Sequence, residues 1–141
     1  MERSALVLLS ASLLFAADTP RAELTVVAGN VRNSRGVVGV LVFRSASGWP
    51  EDFKSAVQRK AVPAHEGEVT ISFEGLEPGS YGVVVLHDEN ENMRLDRNWL
   101  GKPKEGWGMS NNPRPFLSAP AFESAKFDLS GQTRLQVHLR Y

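Results

Sequence analysis

The segment from Asp88 to Asp96 spaces oxygen-bearing residues as a calcium-binding loop does. In such loops the side chains at positions one, three, five and nine point inward, and the residue at position seven contributes its backbone carbonyl. Hard oxygen ligands of this kind suit Ca²⁺ rather than a transition metal. The sequence therefore predicts calcium as a candidate cofactor, with ligands from Asp88, Asn90, Asn92, Asp96 and the backbone carbonyl of Arg94.

Two positions of this segment depart from the calcium-loop pattern. Position six is Met93, where the loop needs glycine, and a non-glycine residue with a positive φ costs about 1 kcal/mol. Position twelve is Trp99, where a bidentate glutamate normally completes the shell, unless Glu105 or another loop residue replaces it. The alternative is a turn rich in Asp and Asn whose side chains hydrogen-bond to its own backbone. Both interpretations stay open at this point.

His87 precedes this segment, and the pair His87-Asp88 has the residue types of a general acid–base site. A hydrolase or an isomerase that uses these two residues is therefore one candidate function. The chain, however, contains no serine in a G-x-S-x-G elbow and no H-E-x-x-H metal motif. We therefore expect a non-catalytic binding module and assign no catalytic residue.

A second polar and aromatic stretch, from Glu105 to Asn112, lies further along the same segment. Its Gly106-Trp107-Gly108 sequence lacks the following helix that a phosphate-binding loop needs, so we expect no nucleotide there. An aromatic ring beside amide groups can instead stack on a sugar or hold a peptide. The expected partner is a small molecule, a glycan or a protein, bound by His87, Trp99, Glu105, Trp107, Ser110, Asn111 and Asn112.

The 88–120 segment shows no β-periodicity and contains four of the eight prolines and two of the three tryptophans. Segments of this length inside a compact domain are usually functional or disordered. Side chains such as Leu100 and Met109 are too apolar for a solvated linker, so we expect one long ordered loop at one end of the domain. The structural alternative is that this loop is a lid for the core, with all three tryptophans buried.

Most of the remaining chain alternates polar and apolar residues with a period of two, which is typical of β-strands. Gly75, the Pro78-Gly79 pair and Ser130-Gly131 separate the apolar runs. Alternation marks strands that are buried on one face of an antiparallel sheet. The sequence therefore predicts an all-β fold, a single antiparallel β-sandwich, with strands at 24–28, 38–43, 69–73, 81–87, 125–129 and 135–139.

Two local features complete the predicted sandwich. The only helical periodicity lies at Pro50 to Arg59, which begins with a proline at a favourable first helical position. Tyr81 opens a strand directly after the Pro78-Gly79 turn, and a tyrosine there can bury its ring and return its hydroxyl group to nearby backbone. We thus expect one short helix and a structural role for Tyr81.

Charge and composition exclude several classes of function. Sixteen basic and sixteen acidic residues give a net charge of zero, so the sequence predicts no nucleic-acid partner. The 141 residues suffice for one domain. Because the chain has no cysteine, it has no disulfide, no thiolate nucleophile and no thiolate metal ligand.

The first residues have the shape of a secretory signal peptide, in which Arg3 is followed by an apolar run at 5–17. Spanning a bilayer takes roughly 20 apolar residues, so this shorter run predicts no transmembrane anchor in the mature chain. We expect a signal peptide at 1–22, cleaved after Ala17 or Ala22, and a sandwich domain at 23–141. The predicted location is secreted or periplasmic, in the cell envelope.

Three sequence blocks together resemble one protein family. They are Leu76-x-Pro78-Gly79-x-Tyr81, then His87-Asp88-Glu89-Asn90-x-Asn92 with Asp96, and then Leu100-Gly101-x-Pro103-x-Glu105-Gly106-Trp107-Gly108-x-Ser110-Asn111-Asn112. From about Leu24 to Leu139 the chain resembles the bacterial DUF2141 family, small exported proteins of unknown function. Members commonly carry glycine at the position of Met93, so this chain departs where a calcium loop most needs it. The resemblance implies a sandwich similar to the transthyretin-like or carboxypeptidase regulatory-like folds, and it implies no activity.

Overall fold

Alternating apolar residues form eight β-strands and one short helix in the computed structural model, which describes residues 17–115 and 117–141. The six predicted strands all coincide with or overlap strands of the structure, so the all-β class is confirmed. In chain order the elements are β1 (Ala22–Val31), β2 (Val37–Phe43), β3 (Gln58–Pro63), β4 (Gly67–Leu76), β5 (Gly79–Asp88), β6 (Gly106–Met109), α1 (Phe122–Ala125), β7 (Phe127–Leu129) and β8 (Gln132–His138).

The strands form two sheets, ordered β4-β1-β8 and β3-β2-β5-β6, and β7 also pairs with β5. Most pairs are antiparallel, such as β2 with β5, where Gly39 lies opposite Leu86. The exception is β8, which runs parallel to β1 and pairs Leu135 with Val26. The predicted sandwich is therefore confirmed, and the expectation of antiparallel strands is corrected at this pair. Parallel neighbours need a long crossover connection, and all the other strands of the fold lie between β1 and β8 in the sequence.

The main core lies between the two sheets, where alternate residues of the long strands are buried. Val26 of β1, Val40 of β2, Ile71 of β4 and Val83 of β5 are almost completely inaccessible to solvent. Burial of apolar surface contributes roughly 25 cal/mol per Å², so these facing strands hold the sheets together.

The outer face of the five-stranded sheet carries a second apolar cluster. Leu41 and Phe43 of β2 and Val84 of β5 belong to it, and Phe122 of α1 and the ring of Trp49 pack against them. Strands β2 and β5 are therefore apolar on both faces, which explains why their sequences run with few polar interruptions. The candidate site lies on this outer face.

The helix predicted at Pro50 to Arg59 is wrong, because turns and the start of β3 occupy these residues. The carboxylate of Asp52 accepts the Ser55 hydroxyl at 2.7 Å, which stabilises a turn instead of a helical ladder. The N–H of Val57 then donates to the Val42 carbonyl at 2.8 Å and brings the chain alongside β2. Within the described residues, the short helix of the fold is α1 instead.

The predicted structural role of Tyr81 is confirmed. Its ring is buried in the main core, and its hydroxyl group donates to the Glu77 carbonyl at 2.6 Å. The guanidinium of Arg44 lies 5.2 Å from the ring centroid and pairs with the Glu77 carboxylate. These contacts fix the turn that leads into β5.

The N-terminal segment is described from residue 17 onward, so the predicted signal peptide at 1–22 lies largely outside the described residues. Residues 17–21 are exposed and have no regular secondary structure. Ala22, in contrast, is a buried residue of β1 that pairs with Leu76. Across 17–115 and 117–141, the structure contains no helix long and apolar enough to cross a membrane.

Candidate functional site

The segment after β5 folds into a turn that the side chain of Asp88 stabilises from its inner side. The carboxylate of Asp88 accepts the N–H of Asn92 at 3.2 Å and the N–H of Met93 at 2.8 Å. Met93 has a φ of 59°, which is the left-handed conformation that a calcium loop places on glycine. Asp88 is nearly buried, so its two bonds to backbone are shielded from water.

The other predicted calcium ligands hydrogen-bond to one another. The Asp96 carboxylate accepts the side-chain amide of Asn90 at 2.6 Å and that of Asn92 at 2.9 Å. The Asn92 side-chain oxygen accepts the N–H of Arg94 at 2.9 Å. These are the bonds of a turn that satisfies its own polar groups. No three His, Cys, Asp or Glu residues of the described chain are grouped closely enough to hold a metal, and calcium binding here stays a prediction.

Glu105 holds the same turn from its base. Its two carboxylate oxygens accept the N–H of Glu89 at 3.0 Å and the N–H of Asp96 at 3.2 Å. The residue is buried, so losing it would leave two shielded donors without an acceptor. Glu105 therefore positions the turn.

An ion-pair cluster joins this turn to the β1–β2 connection. The Glu89 carboxylate accepts hydrogen bonds from Arg32 at 2.6 and 2.9 Å, from Asn33 at 3.0 Å and from Arg35 at 3.2 Å. The hydrogen bonds from Arg32, more than any other contact, lower the pKa of Glu89 to about 2. Glu89 is not among the predicted site residues, although it lies within the second sequence block.

His87 is completely buried beneath this cluster, and both of its ring nitrogens are hydrogen-bonded. Nε2 lies 2.8 Å from the Arg35 carbonyl and must donate to it, so in the neutral ring Nδ1 accepts the Tyr141 hydroxyl at 2.7 Å. Neither nitrogen is left for a substrate or a ligand. The geometry therefore gives His87 a structural role, in which it ties β5 to the β1–β2 connection and to the C-terminal residue.

Ser110 and Asn111 fasten the chain after β6 to the region around α1. The Ser110 hydroxyl donates to the Ala125 carbonyl at 2.5 Å and accepts the N–H of Val83 at 2.9 Å. The side-chain amide of Asn111 donates to the Lys126 carbonyl at 2.8 Å. Both side chains are thus engaged by backbone groups of the protein itself.

Asn112 fastens the same stretch to β8 in the other sheet. Its side-chain oxygen accepts the N–H of His138 at 2.8 Å, and its amide donates to the carbonyl of Gln136 at 2.9 Å. An asparagine can form this pair of bonds because it carries a donor and an acceptor on one planar group. The Ser110-Asn111-Asn112 sequence therefore acts as a clamp for the 88–120 segment.

Strand β6 places glycine and tryptophan on opposite faces. A Cβ at Gly106 would lie 2.5 Å from the Tyr141 ring, and a Cβ at Gly108 would lie 2.8 Å from Val137. Only glycine therefore lets the C-terminal residues approach this strand closely. Trp107, between them, packs against the second apolar cluster on the outer face. The Gly-Trp-Gly sequence thus joins the edges of the sheets and directs the tryptophan outward.

A groove crosses the outer face of the five-stranded sheet and ends at Trp107. In the register of the sheet, Ala61, Gly39, Leu86 and Trp107 form one row across β3, β2, β5 and β6. A cavity of about 240 Å³ lies over one end of this row, and a cavity of about 530 Å³ lies over the other. Neighbouring strands lie ~4.8 Å apart, so the row extends about 14 Å across the sheet.

A third cavity, of about 390 Å³, joins the other two. It shares Phe53 and Met93 with the smaller cavity and Leu95 with the larger one, and Leu86 lines all three. The groove is therefore continuous. Its sides come from the turns before β3 and from the 88–120 segment, which also contributes Leu100.

Two glycines on this face differ in what occupies the space above them. A Cβ at Gly82 would lie 2.8 Å from the ring of Phe122 and 3.0 Å from the ring of Trp49, so packed aromatic rings fill that space. A Cβ at Gly39 would have no atom of the described residues within 4 Å, apart from those of its own chain neighbours. A glycine inside a strand often marks a place where another group approaches the backbone. The open space above Gly39 is therefore the floor of the groove.

The lid hypothesis for the 88–120 segment is wrong. Trp99 is 90% exposed, whereas Trp49 and Trp107 are half-buried in the second apolar cluster. A lid over the core would bury all three rings. The segment is also interrupted by β6, which the predicted loop does not include, because the glycines at 106 and 108 conceal the strand pattern.

The apolar groove residues of β2 and β5 are absent from the predicted site, and of the predicted ligand-binding residues Trp107 alone lines the groove, beside the predicted calcium ligands Asp88 and Arg94. A sequence signal for them exists. In a strand that is covered on one face only, apolar and polar residues alternate. The residues at 37–43 and 83–86, in contrast, include no charged or polar side chain. Such runs indicate that the second face of the strand is covered as well. Within the first run, Gly39 is the residue without a side chain, and it lies at the groove floor.

The fold and the groove define a β-sandwich with a cleft on its outer face. The family model described as "Uncharacterized protein conserved in bacteria (DUF2141)" matches residues 26–136, and the chain belongs to this family. The resemblance seen in the three sequence blocks is thereby confirmed. Comparison with curated proteins gave no match, and comparison with solved structures gave none.

Proposed function

We propose that this protein is an exported, non-catalytic binding module whose ligand lies in the groove over Gly39. One observation carries the proposal: a strand glycine lies under open space on a face that is otherwise covered by packed apolar side chains. A concave, mostly apolar site with a few polar groups at its rim is the usual form of a small-molecule site. Export is supported by the apolar run at 5–17.

The chemistry of the described residues supports binding in preference to catalysis. Both ring nitrogens of His87 are bonded within the protein, and the Asp88 carboxylate accepts two backbone N–H groups. A general acid or base must instead reach the substrate, which argues against the hydrolase or isomerase alternative. The side chains that face the groove, such as Leu86 and Trp107, offer apolar contact area.

The predicted polar ligand residues serve the groove indirectly. Glu105 and Asn112 hold the two halves of the 88–120 segment, whose middle part lines the groove through Leu95 and Leu100. Hydrogen bonds that are shielded from water keep the wall of a binding site in shape when no ligand is bound. This role accounts for their place in the sequence blocks without any direct contact to the ligand.

Calcium stabilisation of the turn at 88–96 is a second part of the proposal. It is supported by the alternating oxygen side chains and by the left-handed φ of Met93. To coordinate an ion, Asn90 and Asn92 must turn their amide oxygens inward and release Asp96. A bound ion would then stabilise the wall that Met93 and Leu95 contribute.

Fluorescence of Nile red, an uncharged dye that brightens in apolar surroundings, tests the groove. We expect the mature wild-type protein to bind the dye and Gly39→Leu to lose the binding, because the new side chain fills the groove floor. Gly39→Leu should fold normally, since no atom lies in the way and glycine weakens a strand interior.

The control is Thr70→Leu, which adds the same side chain at an exposed position of β4 in the other sheet. This variant should bind the dye as the wild type does. Equal dye binding by the wild type and Gly39→Leu would contradict the proposed groove.

A further inference from the structure

The end of the groove over β3 and β2 carries two arginines that have no acidic partner among the described residues. Arg59 and Arg94 both line the cavity of about 240 Å³, and neither forms an ion pair with any described residue. The Arg59 guanidinium donates to the Phe53 carbonyl at 3.2 Å, a bond that leaves its other donors available. The lining of this cavity contains three basic residues, Arg59, Lys60 and Arg94, and one acid, Asp88, so basic side chains are in excess there.

The charged groups next to these arginines are engaged elsewhere. Asp88 lines the same cavity, but its carboxylate accepts two N–H groups of its own turn. The ammonium of Lys60 turns away to the Ser72 carbonyl at 2.5 Å. Among the residues that line the groove, the other acid is Glu51, which pairs with Arg97.

The opposite end of the groove is partly open and mostly apolar, and its charged groups are the paired Glu51 and Arg97 and the exposed Lys102. Beyond Trp107 the lining includes Leu100, which is 59% exposed, and Leu117, which is 91% exposed. Exposed apolar side chains that continue a cleft indicate a surface that a ligand covers. The groove therefore runs from Arg59 and Arg94, across the open space at Gly39 and over Leu86, to a mostly apolar end.

We propose that the groove binds a single-chain carboxylate amphiphile, a fatty acid, with its carboxylate at Arg59 and Arg94. Its chain lies over Gly39 and Leu86 and points towards Trp107. The inference rests on the proposed groove function and names its ligand class. A guanidinium matches the two oxygens of a carboxylate in a fixed planar geometry, and the flexible side chain of Met93 adapts to chains of different shape.

Calorimetry with laurate and with dodecyltrimethylammonium, which have chains of equal length and opposite charge, tests this ligand class. Both are used below the concentrations at which they form micelles. We expect the wild type to bind laurate at least about tenfold more tightly than the cationic amphiphile, because charge-assisted hydrogen bonds are stronger than neutral ones. Arg59→Glu and Arg94→Glu should each abolish or reverse this preference.

The matched control is Arg134→Glu, which makes the same change of charge at an exposed position of β8 in the other sheet. It should retain the wild-type preference, and an equal loss of laurate binding in this variant would overturn the assignment to Arg59 and Arg94. If Nile red binds and Gly39→Leu abolishes its binding, yet both amphiphiles bind equally, the groove function stands and the ligand class fails. Absence of dye binding by the wild type would instead contradict the groove function itself.

Discussion

The carboxylate of Glu89 and the guanidinium of Arg32 form two hydrogen bonds, 2.6 and 2.9 Å long, between the 88–120 segment and the β1–β2 connection. Asn33 donates to the same carboxylate, and the Tyr141 ring lies 4.4 Å from the Arg32 guanidinium carbon. The β1–β2 connection, the 88–120 segment and the C-terminal Tyr141 are thus brought together around the Glu89 carboxylate. This cluster holds the first turn of the groove wall against the sandwich.

We predict that Glu89 makes the stability of the protein depend on pH in the acid range. Its pKa is about 2 in the folded protein against an ordinary value of 4.5, so folding favours the charged form. This contribution is fully present above pH 4.5 and is lost as the pH falls towards 2. Glu89→Gln should lower the free energy of unfolding by about 2 kcal/mol at neutral pH and flatten the acid dependence of thermal unfolding.

Glu74→Gln is the control for this measurement, because Glu74 is an exposed glutamate of β4. It should keep the acid dependence of the wild type. An unchanged dependence in Glu89→Gln would show that the Arg32 pair does not stabilise the fold.

The clamp at Asn112 gives a second prediction. Asn112→Ala removes two hydrogen bonds to β8 and should lower the free energy of unfolding by about 2 kcal/mol in a denaturant titration. Asn98→Ala removes bonds to Leu100 and Lys102 within one turn, and local bonds of this kind contribute little to global unfolding. Equal destabilisation by the two variants would mean that Asn112 does not join the sheets.

The fold could be predicted from the sequence because its main signal is local. Alternation with a period of two marks the long strands, and the Pro78-Gly79 turn before Tyr81 predicts its buried ring and returned hydroxyl group. Strand β3 could not be predicted in this way, because Gln58–Pro63 is an almost wholly exposed edge strand without alternation. The spurious helix arises at the turns before it, where the Asp52 side chain redirects the backbone.

The candidate site could be predicted only in part, because residue type does not show what a side chain faces. His87, Ser110 and Asn111 have the chemistry of ligand contacts, but their partners are backbone groups and a tyrosine brought near by the fold. Gly39, in contrast, carries no functional group. Its importance depends on the empty space above it, which arises only when the surrounding turns are placed.

A calcium titration tests the turn at 88–96. We expect weak binding with a Kd of roughly 10⁻⁴ to 10⁻³ M, because the ion must compete with the bonds that Asn90 and Asn92 make to Asp96. Calcium should raise the melting temperature of the wild type, and Asp96→Ala should abolish this rise. Asp88→Ala should destabilise the protein even without calcium, since two backbone N–H groups lose their acceptor.

The variant Met93→Gly distinguishes a calcium-binding loop from a turn that is only hydrogen-bonded. It should stabilise the calcium-free protein by about 1 kcal/mol by relieving a left-handed φ, and it should tighten calcium binding. If calcium does not change the melting temperature of either the wild type or Met93→Gly, the calcium hypothesis is contradicted. Residues 88–96 then form only a hydrogen-bonded turn.

Mass spectrometry of the protein from its native host tests export. Ala22 is buried in β1 and pairs with Leu76, so we expect cleavage after Ala17, which leaves this strand intact. Replacing Ala22 with Asp should destabilise the mature domain, because it places a charge in the core. An intact N-terminus beginning at Met1 would contradict export.

The most direct test of the central claim is a nuclear magnetic resonance titration of the mature protein with whichever of the two amphiphiles binds more tightly. If the ligand lies in the groove, the amide resonances of Gly39, Leu86 and Trp107 should shift together with increasing ligand, and that of Thr70 in the other sheet should stay in place. Gly39→Leu should remove these shifts. Shifts confined to residues outside the groove, or a full response in Gly39→Leu, would contradict the account.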